Sequence, residues 1–474
     1  MNDIKELFKK VLTYGGGNVA TALSSFILLP IYIRNMTVEE YGILSLALAI
    51  PILFNVLMTL SLEGSVMRFY YEWQKKEVEK KSIFTVWLFM IIWAALITIF
   101  LILIGDKIFS IILTSIPFDP YIRLAILSSF VAVTFNMVGK ILRIKEEAAL
   151  YIIINYLATV LRFLLIIYFV VYLKMNAEGA LYGILIANII MLIPNIYILI
   201  KNCEFSIRID AIIESLKLEL PLIPGQILTN ILSILDRLLL EKFVSVSDIG
   251  IFMIARKIAS LIMIIVNMFQ LALAPHYIKI HAQMKNAKEH ILQLNSSFFD
   301  LVFLCALVLI FFPSEIMVII GSEETFIAAK YIPFITVGLY FQVLLFGPNM
   351  QFLIGKKLIY LTYASLIKFV LFVGISLVLA PVYGIDGIIV SIIISNLIVL
   401  IFSNYYGERV YPLKGNQKNF NSYYLLVFAL IILCFPDIFR DIGIQYFVIK
   451  LLIFSIFSSV YISKMKKTLT LEIV

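Results

Sequence analysis

Long apolar runs alternate with short polar segments along the whole chain. Each run is about 20 residues long, the length that a helix needs to cross the hydrocarbon core of a bilayer. Charged residues, glycines and prolines separate the runs. This pattern predicts fourteen transmembrane spans, at 15–33, 42–62, 83–104, 121–142, 151–173, 179–200, 220–240, 249–274, 294–312, 331–353, 358–380, 384–405, 422–435 and 443–462.

Basic residues are concentrated on one side of the predicted membrane. If the N-terminus is placed inside, the inner segments contain 25 of the 38 lysines and arginines, the outer segments contain seven, and six lie within spans. Cytoplasmic loops of membrane proteins carry such an excess. We therefore expect both termini in the cytoplasm. No extramembrane segment is long enough for a soluble catalytic domain.

The two halves of the chain are similar when the sequence is shifted by 208 residues. TVEEYGI at 37–43 aligns with SVSDIGI at 245–251, and Asn188 aligns with Asn396. The shift maps spans 1–6 onto spans 7–12, and since six is even, both halves have the same orientation in the membrane. Parallel repeats of this kind are an architecture of alternating-access transporters.

These patterns predict an all-α polytopic membrane protein with two pseudo-symmetric six-helix lobes and two additional helices. The expected segments are an N-terminal lobe at 1–200, a cytoplasmic linker at 201–218, a C-terminal lobe at 219–406, and two further helices with a cytoplasmic tail at 407–474.

The composition excludes several classes of protein. The chain is 62% hydrophobic and 14% charged, with a mean hydropathy of +1.03. A soluble protein is typically about 45–50% apolar and about 25% charged, so a large cytosolic enzyme or a disordered chain is excluded. The three cysteines are far apart and have no metal-ligand spacing, so we expect no metal and no cofactor. The net charge of +8 reflects bases that flank the spans, and we expect no nucleic-acid partner.

Charged residues within the spans are the candidate functional residues. A charge at the centre of a bilayer costs at least about 2.5–3.5 kcal/mol and normally faces the bundle interior or water. The cations that the spans contain are predicted to bind an anion such as phosphate. They are Arg162, Arg237, Arg256, Lys257 and Lys368. Lys450, in the last span, is expected to extend toward the membrane surface.

Acidic residues in the spans are few. Asp236 is adjacent to Arg237, and an ion pair of Asp236 with Arg237 or Arg256 is the structural alternative to anion binding. One carboxylate cannot neutralise five cations. Glu63 continues a polar face of span 2 at helical spacing after Asn55 and Thr59. Asp236 and Glu63 are the candidates for coupling transport to H+ or Na+.

Three segments resemble the bacterial polysaccharide (O-antigen) flippases of the multidrug/oligosaccharidyl-lipid/polysaccharide exporter superfamily. They are FILLPIYIRNMTVEEYGILSLALA at 26–49, GSVMRFYYE at 64–72, and LPLIPGQILTNILSILDRLLLEKFVSVSDIGIFMIARKIA at 220–259. The resemblance implies fourteen spans, two six-helix lobes and a cationic central cavity. It also implies translocation of an undecaprenyl-diphosphate-linked oligosaccharide for surface polysaccharide such as lipopolysaccharide or capsule, without catalysis. Arg68, in the second segment, is expected at the cytoplasmic rim of the substrate site. A polysaccharide polymerase and a chain-length regulator are the expected partners.

Three alternative functions remain. A multidrug cation antiporter of the same superfamily would need more acidic residues in its spans than Glu63 and Asp236. A membrane polysaccharide polymerase or ligase would need catalytic groups in a sizeable outer loop. A flippase for a peptidoglycan precursor or another envelope polymer would use the same chemistry as the first function.

Overall fold

The computed structural model describes residues 24–284, 286–413, 450, 451, 454 and 455. Every regular element in these residues is helical, which confirms the expected all-α polytopic class. The chain divides into two compact units, one within Leu23–Gly250 and one from Ile251 onward. They are called the first unit and the second unit below.

The described residues of the first unit form ten helices that lie wholly within it. They are α1 at 24–35, α2 Val38–Ala47, α3 Ala49–Thr59, α4 Leu62–Lys75, α5 Glu79–Ile112, α6 Arg123–Ile144, α7 Ala148–Ile167, α8 Asn176–Asn202, α9 Ile209–Glu219 and α10 Ile223–Leu240. Two π-helical turns, Phe118–Ile122 and Tyr168–Tyr172, precede α6 and extend α7, and a 3-10 turn at Leu220–Leu222 joins α9 to α10. α11 (Val246–Ala259) begins in the first unit.

The second unit continues with six helices. They are α12 Leu261–Gln283, α13 Ala287–Phe311, α14 Pro313–Ile320, α15 Ile332–Leu344, α16 Phe346–Ile354 and α17 Ile359–Val410, and a 3-10 turn at Phe326–Lys330 precedes α15. α17 reverses at Gly384, whose φ of 55° and ψ of −123° suit glycine. Gly387 lies so close to Leu379 that a Cβ would overlap the Leu379 carbonyl oxygen. The element is therefore a helical hairpin that contains predicted spans 11 and 12.

Nine helical stretches among the described residues are long and apolar enough to cross a membrane, or ten if α11 and α12, bent by 41°, count as one span. Predicted spans 2 to 12 correspond to these stretches, with α17 supplying two. Most of predicted span 1, all of span 13 and most of span 14 lie outside the described residues. The chain is a multi-pass membrane protein.

Two glycines allow an unusually close helix crossing inside the first unit. A Cβ on Gly42 of α2 would overlap the carbonyl oxygen of Val246 at the start of α11. A Cβ on Gly250 of α11 would in turn overlap the carbonyl oxygen of Val38 at the start of α2. Since Val38 and Gly42 are the repeat counterparts of Val246 and Gly250, the contact is reciprocal, as expected around a two-fold axis.

A second pair of repeat counterparts makes equivalent contacts in the two units. The Asn188 side chain on α8 donates to the carbonyl oxygen of Ser128 on α6 at 3.4 Å. The Asn396 side chain on α17 donates to the carbonyl oxygen of Gly338 on α15 at 2.9 Å. The two asparagines are therefore repeat counterparts that join corresponding pairs of helices, although their acceptors, Ser128 and Gly338, are 210 residues apart.

Lys450 does not extend toward the membrane surface. Its side chain is fully buried, and its Nζ lies 2.9 Å from Oε1 of Glu315 on α14. The prediction that Lys450 extends toward the membrane surface was therefore wrong. The Glu315 carboxylate neutralises the ammonium group, so the lysine does not need to reach water.

Glu241 anchors the loop between α5 and α6 to the end of α10. Its buried carboxylate accepts hydrogen bonds from the Thr114 hydroxyl at 3.0 Å, the Ser115 hydroxyl at 2.9 Å and the Ser115 N–H at 3.0 Å. Burial opposes ionisation, but these hydrogen bonds and the charge of Lys242 outweigh it. The pKa of Glu241 consequently lies below its ordinary value of 4.5.

Glu241→Gln is expected to lower the free energy of unfolding by roughly 1.5–3 kcal/mol at neutral pH, because hydrogen bonds to a charged acceptor are lost. A lowered pKa means that the stabilisation is complete above the ordinary pKa of 4.5 and is lost as the pH falls through the folded value. Thermal unfolding in detergent at neutral and acidic pH measures this. The wild type should lose part of its advantage over the variant in acid, and a constant difference across pH would contradict the assignment.

Candidate anion-binding site

Two arginines in the first unit are held by neutral oxygen atoms. Nη2 of Arg162, on α7, donates to Oδ1 of Asn188 on α8 at 3.2 Å. Nη1 of Arg237, on α10, donates to the carbonyl oxygen of Ser45 on α2 at 3.0 Å. These bonds fix the direction of each guanidinium without neutralising its charge.

Two buried tyrosines lie between these arginines. The rings of Tyr32, on α1, and Tyr41, on α2, are 6.1 Å apart between centroids, and each side chain is more than nine-tenths buried. Tyr32 interacts electrostatically with Arg162, and Tyr41 with Arg237. We call these four residues the arginine–tyrosine cluster.

Among the described residues, no carboxylate forms a salt bridge with the arginines of this cluster. In the part of the chain that the structure describes, neither Arg162 nor Arg237 forms a salt bridge, and the Nε of each is buried without a hydrogen-bond partner. The ion pair of Asp236 with Arg237 does not form. Oδ1 of Asp236 instead accepts the backbone N–H of Arg237 at 2.9 Å, because side chains of adjacent helical residues point about 100° apart.

The second unit contains a smaller group of cations. Lys368, on α17, donates from Nζ to Oε1 of Gln342 on α15 at 3.2 Å. Lys368 also interacts electrostatically with Arg256 on α11. Two like charges in a low-dielectric environment repel each other, so an anion bound near both would be favoured. We call Arg256, Lys368 and Gln342 the lysine–arginine cluster.

The other predicted residues occupy separate positions. Lys257 follows Arg256 on α11 and is half-buried, whereas Arg68 is exposed on α4. Asp300 on α13 is a fully buried carboxylate that the sequence analysis did not name as a candidate functional residue. The structure therefore groups Arg162 with Arg237 in one unit and Arg256 with Lys368 in the other.

Glu63 does not continue the polar face of span 2. α3 ends at Thr59, and Leu60 and Ser61 have positive φ angles of 49° and 54°, so Glu63 belongs to α4. The prediction of one continuous face was wrong because helical spacing holds only within an unbroken helix. Asn55 instead accepts a hydrogen bond from Asn136 of α6 at 2.9 Å.

Each cluster suits an oxyanion. A guanidinium has five N–H donors in a planar fork that matches phosphate oxygens. At Arg162 and at Arg237, one Nη atom donates to a neutral acceptor. The Nε–H of each arginine has no acceptor among the described residues and could donate to a phosphate oxygen. Among the described residues, no group of His, Cys, Asp and Glu is arranged to hold a metal ion.

Some members of these clusters were not predicted. Tyr32, Tyr41, Asn188 and Gln342 are uncharged and lie far from the cations in sequence, so no charge pattern marks them. Asn188 carries one usable signal, since it matches Asn396 in the repeat.

A membrane-embedded helical protein with buried or half-buried cations in its spans is typical of a transporter for anionic substrates. The profile of a family described as polysaccharide biosynthesis protein matches residues 7–281. The chain belongs to this family, and the resemblance to polysaccharide flippases is confirmed.

One curated relative, Lsg locus protein 1 of Haemophilus influenzae, is 23% identical over 333 residues, which cover 69% of this chain and 79% of the relative. Among solved structures, the inward closed conformation of the lipid II flippase MurJ gives a TM-score of 0.70 at 16% identity, covering 94% of this chain and 99% of MurJ. The inward-facing conformation of a multidrug resistance MATE family transporter of the MOP superfamily gives 0.61 at 16% identity, covering 87% and 96%. The two solved structures show that the chain shares their fold.

Proposed function

We propose that the protein is a flippase that moves an undecaprenyl-diphosphate-linked oligosaccharide from the inner to the outer leaflet of the bacterial cytoplasmic membrane. The observation that carries this proposal is the arginine–tyrosine cluster, in which two guanidiniums lack a neutralising carboxylate within the described residues. The family membership supports a role in polysaccharide biosynthesis.

The substrate class follows from the chemistry of the clusters. A diphosphate is anionic at neutral pH and offers oxygen acceptors to several guanidinium and ammonium groups at once. The tyrosines beside the arginines supply hydroxyl groups that can take part in the same hydrogen-bond network. The lysine–arginine cluster offers a second set of donors, and translocation by alternating access would expose the head group first inside and then outside.

Both termini are placed in the cytoplasm by this proposal, and the basic loops support that orientation. Lys257 and Arg68 are the other residues proposed to contact the substrate, Arg68 at the cytoplasmic rim. Asp236 and Glu63 are the proposed sites of coupling to H+ or Na+. A polymerase and a chain-length regulator are the proposed partners, since they would consume the translocated repeat unit.

Deleting the gene should cause a lipid-linked oligosaccharide to accumulate in the inner leaflet and should abolish the corresponding surface polysaccharide. The check is extraction of lipid-linked sugars, combined with a test of their accessibility to an impermeant glycosidase in intact spheroplasts. Re-expression of the intact chain is the control. Intact surface polysaccharide without precursor accumulation would refute the proposal. Accumulation of a peptidoglycan precursor would show that this precursor, and not the oligosaccharide proposed here, is the substrate.

A further inference from the structure

An apolar groove lies between the two arms of the α17 hairpin, in the second unit. Its volume is about 390 Å³, within the range of about 300–1,000 Å³ that is typical of ligand pockets. The described side chains that line it come from both arms, and they are Tyr360, Tyr363, Leu366, Ile367, Phe402 and Tyr406. The groove therefore offers an apolar ligand contacts with two helices at once.

The lining residues follow the axes of the two arms. Those of the first arm recur at helical spacing from Tyr360 to Ile367, and Phe402 and Tyr406 of the second arm are one turn apart. The rings of Tyr360 and Tyr406 stack across the arms, 4.9 Å apart between centroids, and Phe402 packs on Tyr406 at 4.7 Å. The groove is thus elongated along the helices, which is the shape that a hydrocarbon chain requires.

The edge of the groove is exposed on the surface of the hairpin. Tyr363 and Leu366 are 47% and 44% exposed, and Val370, one turn further along the first arm, is 66% exposed. Exposed apolar surface of this kind marks an interaction with a protein or a membrane. Since α17 is long and apolar enough to cross a membrane, this surface faces lipid in a bilayer.

Two lysines lie at the end of the groove where α17 begins. Lys356 and Lys357 immediately precede the helix, and both are exposed. The N–H of Tyr360, which lines the groove, donates to the carbonyl oxygen of Lys357 at 3.3 Å. Both lysines belong to a segment that is predicted to be cytoplasmic, so this end of the groove is at the inner leaflet.

An arginine from the last turn of α17 lies at the same end. The guanidinium carbon of Arg409 is 4.2 Å from the centroid of the Tyr405 ring, and this ring is 5.1 Å from the ring of Tyr406. Arg409 is therefore one aromatic ring away from the groove lining. Tyrosines and basic residues are both enriched at the membrane–water interface, which places this end of the hairpin at the level of the lipid head groups.

The carboxylate next to Arg409 is directed into the protein. Glu408 accepts hydrogen bonds from the Gln351 side chain at 3.0 Å and from the Leu413 N–H at 3.3 Å. In the part of the chain that the structure describes, none of the three cations at this end forms a salt bridge. Their charge can therefore act on an anionic head group.

The groove is separate from the lysine–arginine cluster. Lys368 directly follows Ile367, but its Nζ donates to Gln342 on α15, and adjacent helical residues point about 100° apart. Lys368 is also two turns from Tyr360, where the cationic end of the groove lies. A lipid whose head group is at Arg409 would therefore leave the lysine–arginine cluster unoccupied, so the groove suits a membrane lipid better than the transported one.

We propose that this groove binds an anionic phospholipid of the inner leaflet, with one acyl chain along the groove and the phosphate group beside Arg409 and Lys357. The acyl chain buries apolar area against both arms, which is favourable. Basic residues at a membrane surface attract anionic head groups. The site consequently prefers phosphatidylglycerol to phosphatidylcholine, whose head group has no net charge. The proposal does not rest on the proposed function.

The test is photocrosslinking of the purified full-length protein in detergent with a phosphatidylglycerol that carries a diazirine on its acyl chain. Mass spectrometry of the peptides then locates the label. We expect label on residues 359–367 and 402–406. Unlabelled phosphatidylglycerol should compete with the probe at least about 5-fold more effectively than phosphatidylcholine with the same acyl chains.

Two variants separate the apolar groove from its cationic end. Leu366→Trp fills the groove and should abolish labelling of residues 402–406, whereas Val370→Trp is the matched control, because Val370 is exposed on the same helix and does not line the groove. Arg409→Gln should weaken competition by phosphatidylglycerol about 5-fold and leave that by phosphatidylcholine unchanged. Lys201→Gln, at an exposed lysine of α8, is its control and should behave as the wild type.

Absence of label from both arms in the wild type, or unchanged labelling in Leu366→Trp, would overturn the groove as the binding site. Equal competition by the two phospholipids would overturn the preference for an anionic lipid. Displacement of the probe by undecaprenyl phosphate but not by phosphatidylglycerol would overturn the phospholipid in favour of a polyprenyl chain. Because no lipid-linked oligosaccharide enters the measurement, its outcome is independent of the gene-deletion experiment.

Discussion

Arg237→Ala should reduce transport of the lipid-linked oligosaccharide by about 10- to 100-fold, because a hydrogen bond to a charged group contributes roughly 1.5–3 kcal/mol. The guanidinium of Arg237 is held by the carbonyl oxygen of Ser45, so the remaining donors are fixed in place for a phosphate. Complementation of the deletion strain measures the loss, with the amount of protein in the membrane checked in parallel.

The same complementation assay is applied to Arg162→Ala, Lys368→Ala and the conservative variant Arg237→Lys. Arg237→Lys keeps the charge but not the planar fork, and its activity should fall between those of the wild type and Arg237→Ala. Arg123→Ala is the matched control, since Arg123 is partly exposed and forms a surface ion pair with Asp119 at 2.7 Å. Full complementation by all three alanine variants would refute the cationic site.

Gly42→Ala and Gly250→Ala are each expected to destabilise the protein by about 1–3 kcal/mol or more, because the added methyl group overlaps a backbone carbonyl oxygen. Backbone atoms of a neighbouring helix cannot move aside as a flexible side chain can, so the crossing helices must separate. The double variant should lose less than the sum of the single losses, since the first substitution already opens the shared crossing.

Thermal unfolding of the purified variants in detergent measures this effect. Gly225→Ala and Gly374→Ala are matched controls, because nothing lies within 4 Å of a Cβ at either helical position. Alanine is favoured over glycine within a helix by roughly 1 kcal/mol, so the controls should be neutral or slightly more stable. Equal melting temperatures for Gly42→Ala and Gly225→Ala would contradict the close crossing.

The spans and the intramembrane cations could be predicted from the sequence because the bilayer imposes strong physical constraints. It requires about 20 apolar residues per helix and makes each buried charge costly. Arg162, Arg237 and Lys368 are therefore conspicuous in the sequence, and the structure places all three on helical stretches that are long and apolar enough to cross a membrane.

The neutral members of the clusters could not be predicted in this way. Tyr32 and Tyr41 resemble any other aromatic residue of an apolar helix, and their proximity to Arg162 and Arg237 depends on tertiary packing. The break at Leu60 and Ser61 was also missed, because neither is a glycine or a proline, the residues that usually mark such a break.

Transfer of a defined undecaprenyl-diphosphate-linked oligosaccharide between leaflets of reconstituted vesicles tests the central claim most directly. An impermeant glycosidase outside the vesicles reports how much substrate has crossed from the inner leaflet. The proposed function predicts rapid transfer with the intact chain, and transfer at least 10-fold slower with Arg237→Ala. Transfer no faster than in protein-free vesicles, from protein that is folded and correctly inserted, would contradict it.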